Sequence, residues 1–133
     1  MRPLVFVIMP VGSDPNYLSR RSRIAATVRA LGMEPYFPLD HHRHDEVFDP
    51  ATVRFEMQRA SVVVADLTLE RPSCYYELGV AQGVGLPTVI VAAQGTPIHQ
   101  TADRDRVAFY ADLDELGKVL HSELRAHAPT LVR

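Results

Sequence analysis

The sequence predicts a doubly wound α/β domain, with one parallel sheet covered by helices on both faces. Three observations carry this reading. Residues 4–9 are a short, continuously apolar run, and "SVVVADL" (61–67) and "TVIVAA" (88–93) are short runs that are mostly apolar. A strand with one face in water alternates apolar and polar residues, whereas a strand buried on both faces does not. The stretches between these runs carry helical spacing or helix-start signals, and the connections are short and marked by Gly and Pro. Strands alternating with helices through short links imply parallel pairing. The topology that fits best is five strands in the order 2-1-3-4-5, the flavodoxin-like (Rossmann-like) arrangement.

The elements follow in order. "LVFVIM" ends at Pro10 and Gly12 and reads as the first strand, and "GSDPN" as a loop. Leu18, Ile24, Val28 and Leu31 mark a helix from Tyr17 to Leu31, with Gly32 as its stop. "EPYFPLD" is an edge strand, because its two prolines exclude a central one. Asp49-Pro50 opens a second helix that runs through Arg59. "SVVVADL" is a buried strand and "TLERP" a loop. Ser73 is expected to cap a third helix reaching about Gly83, with Gly85 and Pro87 beyond it. "TVIVAA" and "RVAFY" are the last strands. Leu113, Leu116, Val119, Leu120 and Leu124 form one stripe of a final helix from Asp112 to about His127. The tail from about Ala128 is expected to be loose.

The length of 133 residues suits one domain with a proper core. A net charge of −2 gives no field to recruit nucleic acid or an anionic membrane. Lys118 is the only lysine, so anion contacts would be made by arginine, planar and bidentate. A single cysteine, Cys74, excludes a disulfide framework and argues against a cysteine zinc site. "MRPLVFVIMP" is a poor signal peptide and no apolar run approaches a membrane span, so a cytoplasmic protein is expected.

Open parallel sheets bind ligands outside the carboxyl ends of their strands, where the strand order switches. The segments meeting there are Met9-Pro10-Val11-Gly12, Asp40-His41-His42, Asp66 to Ser73, and the start of the third helix. Glu77 falls in that helix, in what reads as its first turn, where negative charge is tolerated. It stands one residue too far from Ser73 for a Ser-x-x-Glu capping box. Asp66, at the strand end, reads either as a second working carboxylate or as the cap of the following loop.

Other groups have plainer readings. His41, His42, His44 and Asp45 lack a fixed metal-ligand spacing and read as a solvated polar loop, so no metal is expected. Cys74 reads as packed. "MPVG" is too short for a P-loop and lacks its lysine, though Gly12 lets backbone approach a ligand closely. Of Tyr75 and Tyr76, one should face the core. Arg20, Arg21 and Arg23, at the start of the first helix, could reach a phosphate but read rather as a solvated helix face.

"ASVVVADLTLERPSCYYELGVAQGVGLPTVIV" resembles the signature region of the nucleoside 2-deoxyribosyltransferase-like superfamily. "VFVIMPVG" looks like its "MPFG" opening, and "DRDRVAFYADLDELGKVL" resembles its usual ending. The likeness covers most of the chain, taken as a single domain. It implies that Glu77, of the "ELG" motif, is the nucleophile on the anomeric carbon of a nucleoside or nucleotide, with Tyr76 adjoining it. "PYFPLDHH" resembles the stretch after the second strand, where an amide side chain contacts the base; His42 takes that place here.

Two positions depart from the pattern. The deoxyribosyltransferases carry an aspartate six residues before the nucleophile, where this chain has Arg71. The related nucleotide hydrolases use a serine in that loop, so Arg71 and Ser73 suit a 5′-phosphate better than a free hydroxyl. Val53 occupies the place of an acid on the helix before the third strand, with Glu56 nearby. The resemblance thus implies N-glycosidic cleavage of a nucleoside 5′-monophosphate or nucleoside, by hydrolysis or base exchange, without cofactor. Glu77 and Asp66 are the expected catalytic pair, and Met9, Pro10, Gly12, His42, Arg71, Ser73 and Tyr76 the expected substrate contacts, in a homodimer or larger homo-oligomer. The alternative is a non-catalytic nucleotide-binding module or a TIR-like NAD hydrolase.

Overall fold

The computed structural model describes residues 2–41, 50–99 and 104–129. Strands β1 (Leu4–Ile8), β2 (Glu34–Tyr36), β3 (Val62–Asp66), β4 (Thr88–Ala93) and β5 (Ala108–Tyr110) form one sheet in the order β2-β1-β3-β4-β5. All four pairings are parallel, as expected. Four helices alternate with the strands: α1 (Tyr17–Ala30), α2 (Pro50–Met57), α3 (Pro72–Gly83) and α4 (Leu113–Leu124). β2 and β5 are the edges, and Pro35 sits within β2, where it faces only one ladder.

Period-2 geometry explains the uninterrupted apolar runs. Val5, Val7 and Met9 go to one core with Val62 and Val64, beneath α1 and α4. Phe6 and Ile8 go to the other with Val63 and Ala65, beneath α2 and α3. Leu116, Leu120 and Leu124 of α4 are fully buried, and Leu113 and Val119 pack at the margin of the same core.

Two helix ends are set by glycine. Gly32 has φ +79°, and the Met33 N–H reaches back to the Val28 carbonyl at 3.2 Å. Gly85 has φ +81°, and the Leu86 N–H reaches the Ala81 carbonyl at 3.0 Å. Both are left-handed closures that cap the last carbonyls of a helix.

The first helix differs from expectation in one respect. Ile24 and Val28 are buried, but Leu18 is 72% exposed. Positions 24, 28 and 31 lie on one helical face, and position 18 does not. The place one turn before Ile24 belongs to Arg20, which is buried and paired with Asp14, also buried. Arg20 therefore belongs to the interior rather than to a solvated face. The expected N-cap of α2, Asp49, and the residues from Thr130 on lie outside the described residues.

Candidate active site

A cleft of about 270 Å³ opens at the carboxyl ends of β1 and β3, at the switch in strand order. Val7, Met9, Pro10, Val11 and Gly12 line it from β1 and its following loop. Tyr17 lines it from α1, and Phe37, Pro38 and Leu39 from the segment after β2. Arg71, Ser73 and Glu77 complete it from α3. Six of the sequence-derived positions thus meet in one cavity: Met9, Pro10, Gly12, Arg71, Ser73 and Glu77.

The start of α3 explains how its three side chains reach the cleft. Arg71 is the N-cap, in extended conformation, and Pro72 takes the first helical position. Proline suits that position because its missing N–H has no helical acceptor anyway. Ser73 is therefore the second helical residue and not the cap expected from the sequence. Glu77 accordingly stands in the second turn of the helix, not the first. The free N–H groups of the helix start do not serve it, and among the described residues its carboxylate has no hydrogen bond or ion pair. Burial alone pushes Glu77 up to about 7. Arg71 likewise makes no ion pair among the described residues, so its charge is available to a ligand.

Asp66 lies at the end of β3 but is fully buried and does not line the cleft. Its Oδ1 accepts from the Thr68 N–H at 3.0 Å and the Thr68 hydroxyl at 2.6 Å. Its Oδ2 accepts from the Tyr110 hydroxyl at 2.7 Å. Thr68 Oγ1 in turn accepts from the Ala93 N–H at 2.9 Å. Burial raises Asp66 above the usual carboxylate range, and these hydrogen bonds oppose that rise. These are the contacts of a loop cap, and none of them faces the cleft. An acid/base needs access to substrate, and both Asp66 oxygens face protein donors.

Tyr76 also stands apart from the cleft lining and is half exposed on the outer side of α3. Tyr75 is the tyrosine that packs inward, as one of the pair was expected to do. Cys74 is buried and inert, its thiol pushed up to about 12 by burial. Glu56 accepts the Tyr36 hydroxyl at 2.8 Å, on the side of the sheet that carries α2. His42, His44 and Asp45 lie outside the described residues. His41 stacks on the Tyr36 ring at 4.4 Å.

The aromatic wall was not singled out from the sequence. Arg21 donates to the Tyr17 hydroxyl at 3.0 Å and pairs with Asp40. Its guanidinium also sits over the Phe37 ring, 4.0 Å from the centroid. One arginine thus fixes both aromatic side chains of the cleft. The pairing with Arg21 holds Asp40 below the usual carboxylate range. The available signal was the position of Tyr17 after β1, which borders the switch, and of Phe37 after its neighbour β2.

Among the described residues, no cluster of three or more His, Cys, Asp or Glu could hold a metal. No helix among them is long and apolar enough to cross a membrane.

No protein-family model matches the chain, and no curated protein matches it. Solved structures do. A 2-deoxyribosyltransferase from the psychrotolerant bacterium Bacillus psychrosaccharolyticus superposes with a TM-score of 0.59 at 15% identity, over 86% of this chain and 90% of that one. A response regulator receiver domain protein from Bacillus halodurans superposes with a TM-score of 0.58 at 10% identity, over 98% of this chain and 100% of that one. What both share with this chain is the fold. Fold and cleft together define a flavodoxin-like α/β domain with a ligand-sized opening at its topological switch point.

Proposed function

We propose that the cleft binds a nucleoside or nucleoside 5′-monophosphate and that Glu77 cleaves its N-glycosidic bond. The observation that carries this reading is Glu77 itself: a carboxyl group in the cleft wall, raised to about 7 by burial, with no protein partner among the described residues. Such a carboxylate is poorly solvated and free to approach an electrophilic carbon. The sequence resemblance and the fold of the deoxyribosyltransferase neighbour support the same choice of chemistry.

In the first step a Glu77 oxygen bonds to C1′ as the C1′–N bond breaks. The electron pair leaves with the base, which takes up a proton. The transition state has oxocarbenium character, which a nearby carboxylate stabilises. In the second step water or an incoming base attacks C1′. The bond to Glu77 breaks, the carboxylate is restored, and the attacking group loses its proton. Of the described lining residues, Tyr17 and Ser73 carry hydroxyl protons, and solvent is the remaining source.

Arg71 and Ser73 are the proposed 5′-phosphate contacts, at a helix start that favours anions. Met9, Pro10 and Gly12 bring backbone against the sugar, and Tyr17 and Phe37 flank the base. His42 is the proposed base-edge contact. Asp66 holds the loop from which Arg71 projects. A homodimer or larger assembly is part of the same reading, and light scattering reads it directly.

Chromatography of released base tests the proposal, with nucleosides, 5′-monophosphates, their 2′-deoxy forms and NAD, for wild type and Glu77→Ala. Release by the wild type alone supports it and identifies the substrate. Binding without release would make the domain a nucleotide-binding module, and nicotinamide release from NAD would make it an NAD hydrolase.

A further inference from the structure

The turn between β3 and α3 is strained. Leu69 has φ +69° and Glu70 φ +46°, two consecutive non-glycine residues in the left-handed region. Such geometry persists only where surrounding interactions hold it. Asp66 and the Glu70 N–H, which reaches the Leu67 carbonyl at 2.9 Å, hold the start of the turn, and the Glu70 carboxylate ties it to its surroundings. Its Oε1 accepts from the Tyr75 hydroxyl and from the His99 N–H, both at 2.7 Å, and its Oε2 lies 3.1 Å from His99 Nδ1. Ile98, the residue before His99, is itself buried at φ +52°. One carboxylate therefore ties two left-handed turns to each other and to the first turns of α3. The residue that leaves this clamp is Arg71, which lines the cleft and makes no ion pair among the described residues.

We propose that Glu70 is a positioning residue that sets Arg71 and the start of α3 for the 5′-phosphate of the substrate. This rests on the nucleotide reading of the cleft. Glu70 does not line the cleft and acts through the turn. Its effect falls on the phosphate end of the ligand, because β1 with its following loop, Tyr17 of α1 and the segment after β2, which supply the rest of the lining, make none of its three contacts.

The test compares wild type, Glu70→Ala and Glu70→Gln in two measurements. Hydrogen exchange on ligand-free protein reports whether residues 66–76 and 96–99 are held together. Calorimetric titration with a nucleoside 5′-monophosphate and its matching nucleoside reports where the effect falls. Glutamine keeps an acceptor for Tyr75 and the His99 N–H, and alanine keeps none. The expected result is faster exchange in both segments for Glu70→Ala, with monophosphate affinity falling about tenfold more than nucleoside affinity. Glu70→Gln should restore most of both. Unchanged exchange in the alanine variant would overturn the clamp. Faster exchange with equal loss for both ligands would reduce Glu70 to a general stabiliser and overturn the positioning role. If wild type binds neither ligand, the nucleotide reading fails with the phosphate role, and the exchange data still decide the clamp.

Discussion

Tyr110 donates its hydroxyl proton to Asp66 Oδ2 at 2.7 Å, tying the edge strand β5 to the end of β3 across β4. Thr68 completes the tie through the Ala93 N–H on β4. Three strand ends at the carboxyl edge of the sheet are held by one buried carboxylate.

Asp66→Ala should therefore lower stability by about 2–3 kcal/mol, because it strands buried donors on Thr68 and Tyr110. Asp66→Asn keeps a carbonyl for the Thr68 donors and an amide that Tyr110 can accept from, and should cost about half as much. Urea melts check both. Base release decides between the two readings of Asp66. The asparagine variant should keep most of its turnover, whereas an acid/base at this position would lose nearly all of it.

Glu77 sets a pH dependence with a definite sign. Its proton is held up to about pH 7 in the folded chain, against 4.5 for an ordinary glutamate. Between those values the folded state binds more protons than the unfolded one, so stability falls as pH rises and levels off above 7. At about 1.4 kcal/mol per pKa unit, the full effect is roughly 3 kcal/mol. Glu77→Gln removes it. The variant should match wild type in urea melts at pH 4 and exceed it by about that amount at pH 8. On the proposed mechanism the same ionisation should govern turnover, with base release rising through about pH 7 as Glu77 loses its proton.

Arg71→Ala should discriminate between ligands. It removes a cation from the cleft and breaks no ion pair among the described residues. Stability should change by less than about 0.5 kcal/mol. Affinity for a nucleoside 5′-monophosphate should fall about tenfold or more, and affinity for the nucleoside should hardly change. Calorimetric titration with the pair reads this directly.

The sheet was legible because each inner strand is apolar on both faces, and period-2 geometry sends alternate residues to opposite cores. The helix stops were legible because Gly32 and Gly85 close α1 and α3 with left-handed turns. The start of α3 was misread by two residues: Ser73 looked like a cap, but Pro72 had already fixed the first helical position. That shift moved Glu77 from the first turn to the second and took it away from the free N–H groups that would have lowered its pKa. Arg20 was hidden for another reason. A buried cation is recognisable only with its partner, and Asp14 sits in a loop whose path the sequence does not disclose. The same holds for Asp66, whose partner Tyr110 is distant in sequence. Local pattern identifies the elements, whereas pairings between distant residues decide which carboxylate lines the cleft and which faces the core.

Mass spectrometry of the protein quenched during turnover reads whether Glu77 attacks C1′, as proposed. The substrate would be whichever compound of the panel releases base. The expected result is a transient mass increase equal to the glycosyl group, mapped to the peptide that contains Glu77 and absent in Glu77→Gln. Base release that persists in Glu77→Gln, or an adduct on any other residue, would contradict it.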